Sequence, residues 1–219
     1  MKLTHVLAKI LKKNKINYIF GLQGGAVVHI FDSLEKYKLN VTYTHHEQSA
    51  SLASVSNAKI TGQPGCTVVT TGPATTNAMT GLLAAWQDSV PVIFISGQSR
   101  SNHTSYGKKV RQVGTQEVNI CDIVKPITKQ AILVKDPNKF PEVFQKAINI
   151  ANSGRKGPVW IDIPLEFQWM EIKTKKLNKL VTKKNIINTK DINSFKKLFL
   201  NSKNPLAILG YGVRSSKYG

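Results

Sequence analysis

Apolar positions along residues 1–168 follow two alternating rhythms. Short runs that are apolar on both sides and rich in β-branched residues occur at Tyr18–Gly21, Val41–Thr44, Cys66–Thr71, Val92–Ser96, Ala131–Val134 and Val159–Ile163, and these predict strands. Between them the spacing turns helical, near 26–38, 48–60, 75–85 and 139–152. The last is the clearest, with Phe140, Val143, Phe144, Ala147, Ile148 and Ala151 on one face. At the start, Leu3, Val6, Leu7, Ile10 and Leu11 recur at helical spacing with lysines between them. That is an amphipathic helix rather than a signal peptide, which carries a continuous apolar segment. Strands buried on both faces and separated by helices imply a parallel sheet covered on both sides. Residues 1–168 therefore read as a doubly wound α/β domain.

After Pro164 the rhythm fades. Residues 169–190 are dense in Lys, Asn and Thr and read as an exposed linker. A short helix over Ile192–Leu200 follows, then NPLAILGYGV (residues 204–213), which predicts the first strand of a second α/β domain and its turn. One helix and one strand cannot bury a core. Residues 191–219 thus read as a truncated beginning of a second domain, and the chain as a fragment, a split-gene product or a remnant. No internal repeat occurs.

Composition narrows the function classes. Hydrophobic residues make up 41% of the chain, enough for a packed core and against wholesale disorder. The net charge of +19 would ordinarily direct attention to nucleic acid. Of the 31 basic residues, however, only Arg100, Arg111, Arg155 and Arg214 carry the guanidinium fork that base readout favours. The rest are lysines, many alternating with apolar residues on helical stretches, so the charge reads as a solvated surface with no nucleic-acid partner. Cys66 and Cys121 are too few and too far apart for a disulfide framework or a zinc cluster. No apolar run approaches the ~20 residues of a membrane span, and the expected location is cytoplasmic.

Three loops carry candidate chemistry. In FGLQGGAVVHIFDSL (residues 20–34), a strand ends at Gly24-Gly25 and a helix follows. Such a turn lets backbone approach a ligand, yet it matches neither common phosphate-binding glycine motif and serves equally as a plain βα turn. In THHEQSAS (44–51), Glu47 stands where a strand gives way to a helix of small residues, a position where a carboxylate also simply complements the helix dipole. Consecutive His45, His46 and Glu47 cannot all face one ion in regular structure, so no metal site is assigned. The third loop, within TTGPATTNAMTGLLAAWQDSVPVIFISGQ (70–98), turns at Gly72-Pro73. All three lie at the carboxyl edge of the predicted sheet, where open parallel sheets bind ligands.

GLQGGA, HHEQ, TTGPATTNAMTGL, DSVPVIFISGQ and GRKGPVWIDIPLEFQ, in this order and at these spacings, resemble the acetolactate synthase, pyruvate oxidase and benzoylformate decarboxylase group of thiamine-diphosphate enzymes. The resemblance runs from about residue 3 to 168 and identifies that part as the pyrimidine-binding domain. The tail is similar to the beginning of the family's central domain. The resemblance implies thiamine diphosphate as cofactor, with Mg²⁺ supplied through a domain missing here, and an acetolactate synthase-like transferase that decarboxylates and ligates small 2-keto acids. Glu47 matches the catalytic glutamate that hydrogen-bonds N1′ of the aminopyrimidine and promotes cofactor activation. Pro73 and Asn77 match the loop beside the cofactor, and Gly24 and Gly25 the loop beside the reacting centre. Gln116 matches a glutamine that reaches the site from a neighbouring segment; its plain alternative is a helix-cap partner. The implied assembly is a homodimer, or a pairing with a chain that carries the diphosphate-binding domain.

Several positions depart from the pattern. Gln23 replaces a proline, Ala74 a glycine, and Val55-Ser56-Asn57 an acidic-Gly-Tyr run. Thr115 stands where acetolactate synthases carry Phe, so the substrates stay open. The diphosphate and metal motif, Gly-Asp-Gly followed by Asn-Asn, occurs nowhere in the sequence, and flavin is equally unsupported. The chain alone is therefore expected to be inactive, and a non-catalytic binding module of the same fold is the alternative.

Overall fold

The computed structural model describes residues 1–173, 188–210 and 212–213. The chain divides into two compact units, Met1–Val181 and Thr182–Gly219. In the first, strands β1 (Tyr18–Gly21), β2 (Asn40–Tyr43), β3 (Gly65–Val69), β4 (Val92–Gln98), β5 (Gln130–Leu133) and β6 (Val159–Pro164) form one sheet in the order β2-β1-β3-β4-β6-β5. Every pairing is parallel. Every residue of β3, β4 and β6 is buried, whereas edge strands β2 and β5 are only partly covered. That gradient is what a sheet sandwiched between helix layers produces.

One apolar cluster joins the sheet to α1 (Leu3–Lys13), α2 (Val28–Lys36) and α7 (Phe140–Asn152) through Leu7, Leu11, Phe31, Phe140 and Phe144. A separate cluster packs α3 (Glu47–Thr61), α4 (Pro73–Asn77), α5 (Met79–Gln87) and α6 (Ile120–Val124) around Leu82, Phe94 and Trp160. A further short helix, α8 (Leu165–Trp169), follows β6. The ends of the unit are tied together: the Leu3 amide donates to the Met170 carbonyl at 2.9 Å, and the Ile172 amide to that of Met1 at 3.0 Å.

Strand order reverses between β1, whose chain continues outward to β2, and β3, on β1's other side. Such a reversal opens a crevice at the carboxyl ends of the two strands. The loops after β1 and β3, and the start of α3, all lie at that edge.

Two expectations differ in detail. The helix expected over 75–85 is two helices, α4 and α5, joined at Ala78 with φ −76° and ψ −9°. A one-residue interruption leaves the apolar spacing almost unchanged, which is why periodicity misses it. In the second unit α9 (Thr189–Asn201) forms as expected. Leu206, Ile208 and Leu209, expected in a strand, are highly exposed and pair with no strand among the described residues. An apolar run becomes a strand only where a neighbour takes its backbone hydrogen bonds. Most of the expected 169–190 linker lies outside the described residues.

Candidate functional site

Glu47 opens α3. His46 is the N-cap, its Nδ1 accepting from the Gln48 amide at 3.1 Å, so one candidate metal ligand is already used in capping. Glu47 itself is only 8% exposed. Its Oε2 accepts a hydrogen bond from Asn77 Nδ2 at 3.0 Å, while Oε1 has no hydrogen-bond partner among the described residues. One oxygen is thus fixed by the protein and the other is not engaged by it. The carboxylate also sits at the positive end of a 15-residue helix.

The small residues after Glu47 let α3 sit close to its neighbours. Ser54 Oγ donates to the Cys66 carbonyl at 2.8 Å and accepts from Thr67 Oγ1 at 2.7 Å. A Cβ on Gly65 would lie 2.3 Å from the Ser54 carbonyl, and one on Gly81 of α5 2.3 Å from Ser51 Oγ. The helix bearing Glu47 is therefore seated against β3 and against the helix that continues from Asn77.

The two glycines after β1 differ. Gly24 lies against Thr70 in the loop after β3; a Cβ there would come within 2.5 Å of the threonine Cβ. Thr70 Oγ1 also accepts from the Ala26 amide at 3.2 Å. Gly25 is exposed and would meet nothing within 4 Å. The structure thus brings the Gly24 loop to the β3 loop, with Gly25 facing open space.

Gly72, with φ +74° and ψ −134°, is a conformation that side chains rarely adopt. It presses on the 116 segment so closely that a Cβ would lie 2.5 Å from the Gln116 carbonyl. Pro73 follows at the first turn of α4, where its missing N–H costs nothing. Gln116 is exposed at φ +57°. It caps no helix, since Asn119 caps α6 by accepting from the Asp122 amide. Neighbouring Glu117 ties the loop. Its Oε1 accepts from the Ser105 amide and hydroxyl, and its Oε2 from the Val113 and Gly114 amides. Burial pushes this carboxyl up, but those bonds outweigh it and hold it below the ordinary glutamate range.

Asp162, in the middle of β6 and fully buried, escaped the sequence reading. The signal was present: one acid inside the otherwise apolar run VWIDIP. Burial pushes its carboxyl up to about 7, against bonds from Ser96 and Gln98 that pull it down. The Cys66 and Cys121 thiols are also pushed up by burial, so neither is an activated nucleophile. Among the described residues no three His, Cys, Asp or Glu side chains are placed to hold a metal, and no helix is long and apolar enough to cross a membrane.

Residues 1–123 match the family model described as thiamine pyrophosphate enzyme, N-terminal TPP binding domain. Among curated relatives, the acetolactate synthase large subunit of Cyanidium caldarium is 37% identical over 96% of this chain and 37% of its own length. That of Haemophilus influenzae is 38% identical over 73% of this chain and 27% of its own. The acetolactate synthase isozyme 3 large subunit of Escherichia coli is 37% identical over 68% of this chain and 25% of its own. The chain thus spans only about a quarter to two fifths of the length of these relatives.

Proposed function

The chain belongs to the thiamine pyrophosphate enzyme family, whose N-terminal TPP binding domain it matches over residues 1–123, and from that premise we propose that it is the pyrimidine-binding part of an acetolactate synthase-like transferase acting on 2-keto acids. The single observation behind this reading is the Glu47–Asn77 pair at the carboxyl edge of the sheet. The residues present fit the aminopyrimidine half of the cofactor. A buried carboxylate with one oxygen engaged and one unengaged can share a hydrogen with a ring nitrogen, and the loops after β1 and β3 end at the same sheet edge. They do not make up a diphosphate and Mg²⁺ site, since the described residues include no acidic cluster for one. That half would be supplied by a chain that carries a diphosphate-binding domain.

Bound thiamine diphosphate supplies the carbon nucleophile for 2-keto acid decarboxylation and carboligation. The work of this chain is to hold and polarise the pyrimidine. Glu47 Oε1 would hold a hydrogen at ring N1′, which would withdraw electron density from the exocyclic amine, ease loss of a proton from it and so favour the imino form whose nitrogen serves as the base. Asn77, by engaging Oε2, stops the carboxylate from rotating away. Gly24 lets the first loop close on the second, and Gly72 brings the Gln116 segment to the same edge. Thr115, exposed beside Gln116, stands where acetolactate synthases carry Phe, so the acceptor pocket differs from theirs. The working enzyme is a cytoplasmic dimer or a complex with a chain carrying the diphosphate domain.

Calorimetry with thiamine diphosphate and Mg²⁺ tests this. Heat of binding in the presence of a chain carrying the diphosphate-binding domain, lost in Glu47→Gln, is the expected result. Absence of binding with and without that chain would leave a non-catalytic module of the same fold.

A further inference from the structure

A row of polar side chains crosses the sheet where its interior is otherwise apolar. Asp162 Oδ1 accepts from Ser96 Oγ at 2.6 Å, and Oδ2 from Gln98 Nε2 at 2.8 Å. Ser96 Oγ in turn accepts from Trp160 Nε1 at 2.8 Å. The second hydrogen of the Gln98 amide goes to the Val118 carbonyl at 2.7 Å. The Gln98 carbonyl accepts from Thr71 Oγ1 at 3.1 Å and from the Ser99 amide at 2.9 Å.

Counting hydrogens gives this row a direction. The Val118 carbonyl can only accept and the Ser99 amide can only donate, so Gln98 turns its NH₂ toward Val118 and Asp162 and its oxygen toward Ser99 and Thr71. Thr71 adjoins Gly72, whose unusual backbone is wedged against Gln116. Gly72 caps α4, a helix of only five residues, and the last of them is Asn77, which donates to Glu47. The row therefore begins at the centre of the core and ends at the candidate site. Stability alone does not call for it. An apolar side chain in place of a buried charge is often neutral or stabilising, and Tyr106 and Cys121, the ionisable groups nearest Asp162 from the 104–117 loop and α6, offer no positive charge.

We infer that Asp162 is a positioning residue: through Gln98 and Thr71 it sets the Gly72-Pro73 turn and so aims the Asn77 amide that holds Glu47. Its functional meaning rests on the reading of Glu47 given above, whereas the relay is a property of this chain alone.

The test uses the 219-residue chain without ligand and follows the Asn77 side-chain amide by ¹H–¹⁵N NMR, assigned by its loss in Asn77→Asp. Thr71 Oγ1 also lies 3.2 Å from the Gln116 carbonyl, so its one hydrogen is shared between that oxygen and Gln98. In Asp162→Asn the single amide oxygen can serve Ser96 or Gln98 but not both, the Gln98 side chain loses part of its hold, the Thr71 hydrogen passes to Gln116 and the Asn77 signal moves. Thr71→Val, which removes only the hydroxyl, moves the same signal, while Thr71→Ser leaves it in place. The double variant moves it no further than either single one, because both cut one path. An unmoved Asn77 signal in Thr71→Val, or shifts that simply add, overturns the relay. Should Asp162→Asn fail to fold, Gln98→Met takes its place, since it removes the link between Asp162 and Thr71 and keeps the Thr71–Gln116 bond; the Asn77 signal moves, and an unmoved signal overturns the relay. A second arm titrates 4-amino-5-hydroxymethyl-2-methylpyrimidine, expecting at least tenfold weaker binding in Thr71→Val than in Thr71→Ser. Absence of any wild-type response, with and without a chain carrying the diphosphate-binding domain and with the Asn77 shifts intact, would defeat the cofactor reading and leave the relay standing; equal affinities in the two variants would defeat the relay's role.

Discussion

Gly72→Ala and Gly25→Ala make a matched pair, since both glycines sit in candidate loops at the same sheet edge and have opposite surroundings. At Gly72 the backbone has φ +74° and ψ −134°, a region that costs a residue with a side chain about 1–3 kcal/mol. The added methyl would also lie 2.5 Å from the Gln116 carbonyl and 3.0 Å from its Cβ. Backbone must shift to relieve that contact, which adds about 1–3 kcal/mol in the manner of an overpacked site. The total is about 2–6 kcal/mol. For a unit of this size each kcal/mol lowers the melting temperature by about 2–4 °C, so Gly72→Ala should melt roughly 4–24 °C lower. At Gly25 nothing lies within 4 Å and φ is not positive, so alanine should change stability by less than about 0.5 kcal/mol. Thermal melts followed by near-ultraviolet circular dichroism measure both. A Gly72→Ala protein that melts with the wild type, or a Gly25→Ala protein equally weakened, would refute the close approach of the two loops.

Ser96→Ala leaves the Trp160 N–H without its acceptor and removes one bond from Asp162. At about 1–3 kcal/mol for each buried group left unsatisfied, the urea midpoint should fall clearly with the slope unchanged. Asp162 also predicts a pH dependence. Its folded carboxyl is raised from 3.8 to about 7, so the folded state holds the proton more tightly than the unfolded state. That contribution is complete below the unfolded value and is lost as pH rises through about 7. It amounts to about 4 kcal/mol at ~1.4 kcal/mol per tenfold difference in proton affinity. Urea unfolding at pH 5 and pH 8 should show the wild type losing stability relative to Asp162→Asn, and an unchanged difference would contradict the buried charge. Cys66 and Cys121 should resist a thiol reagent in the native chain and react only in concentrated guanidinium, because both are buried and pushed up in pKa; fast native labelling would count against the packing of β3 and α6.

The parallel sheet was legible because its strands are apolar on both faces. β1 spans the expected Tyr18–Gly21, and the other strands differ from expectation by a few residues at their ends. The start of α3 at Glu47 was legible from the change from β-branched to small residues. Helices α6 and α8, of five residues each, are too short to establish a period. The turn at Ala78 changes one residue's ψ and leaves the side-chain pattern intact. The sequence showed Gly24, Gly72, Glu47 and Asn77 as separate loop residues, but not that Asn77 reaches Glu47 across 30 positions. Nor did it show that Gly72 abuts Gln116, since such contacts depend on how the helices seat on the sheet. Asp162 went unremarked because a lone acid in an apolar strand acquires meaning only when Ser96 and Gln98 on the neighbouring strand turn toward it. The lysine surface read from composition fits the fold, for Lys9, Lys12, Lys13, Lys36 and Lys38 are all exposed.

The most direct measurement titrates the full chain with the free aminopyrimidine and follows the backbone amide of residue 47 and the Asn77 side chain by NMR. Saturable shifts at both in the wild type, absent in Glu47→Gln although that variant keeps the same melting temperature, are the predicted result. Shifts confined to other parts of the chain, or identical titrations for wild type and Glu47→Gln, would contradict the assignment of Glu47 as the residue that meets the ring.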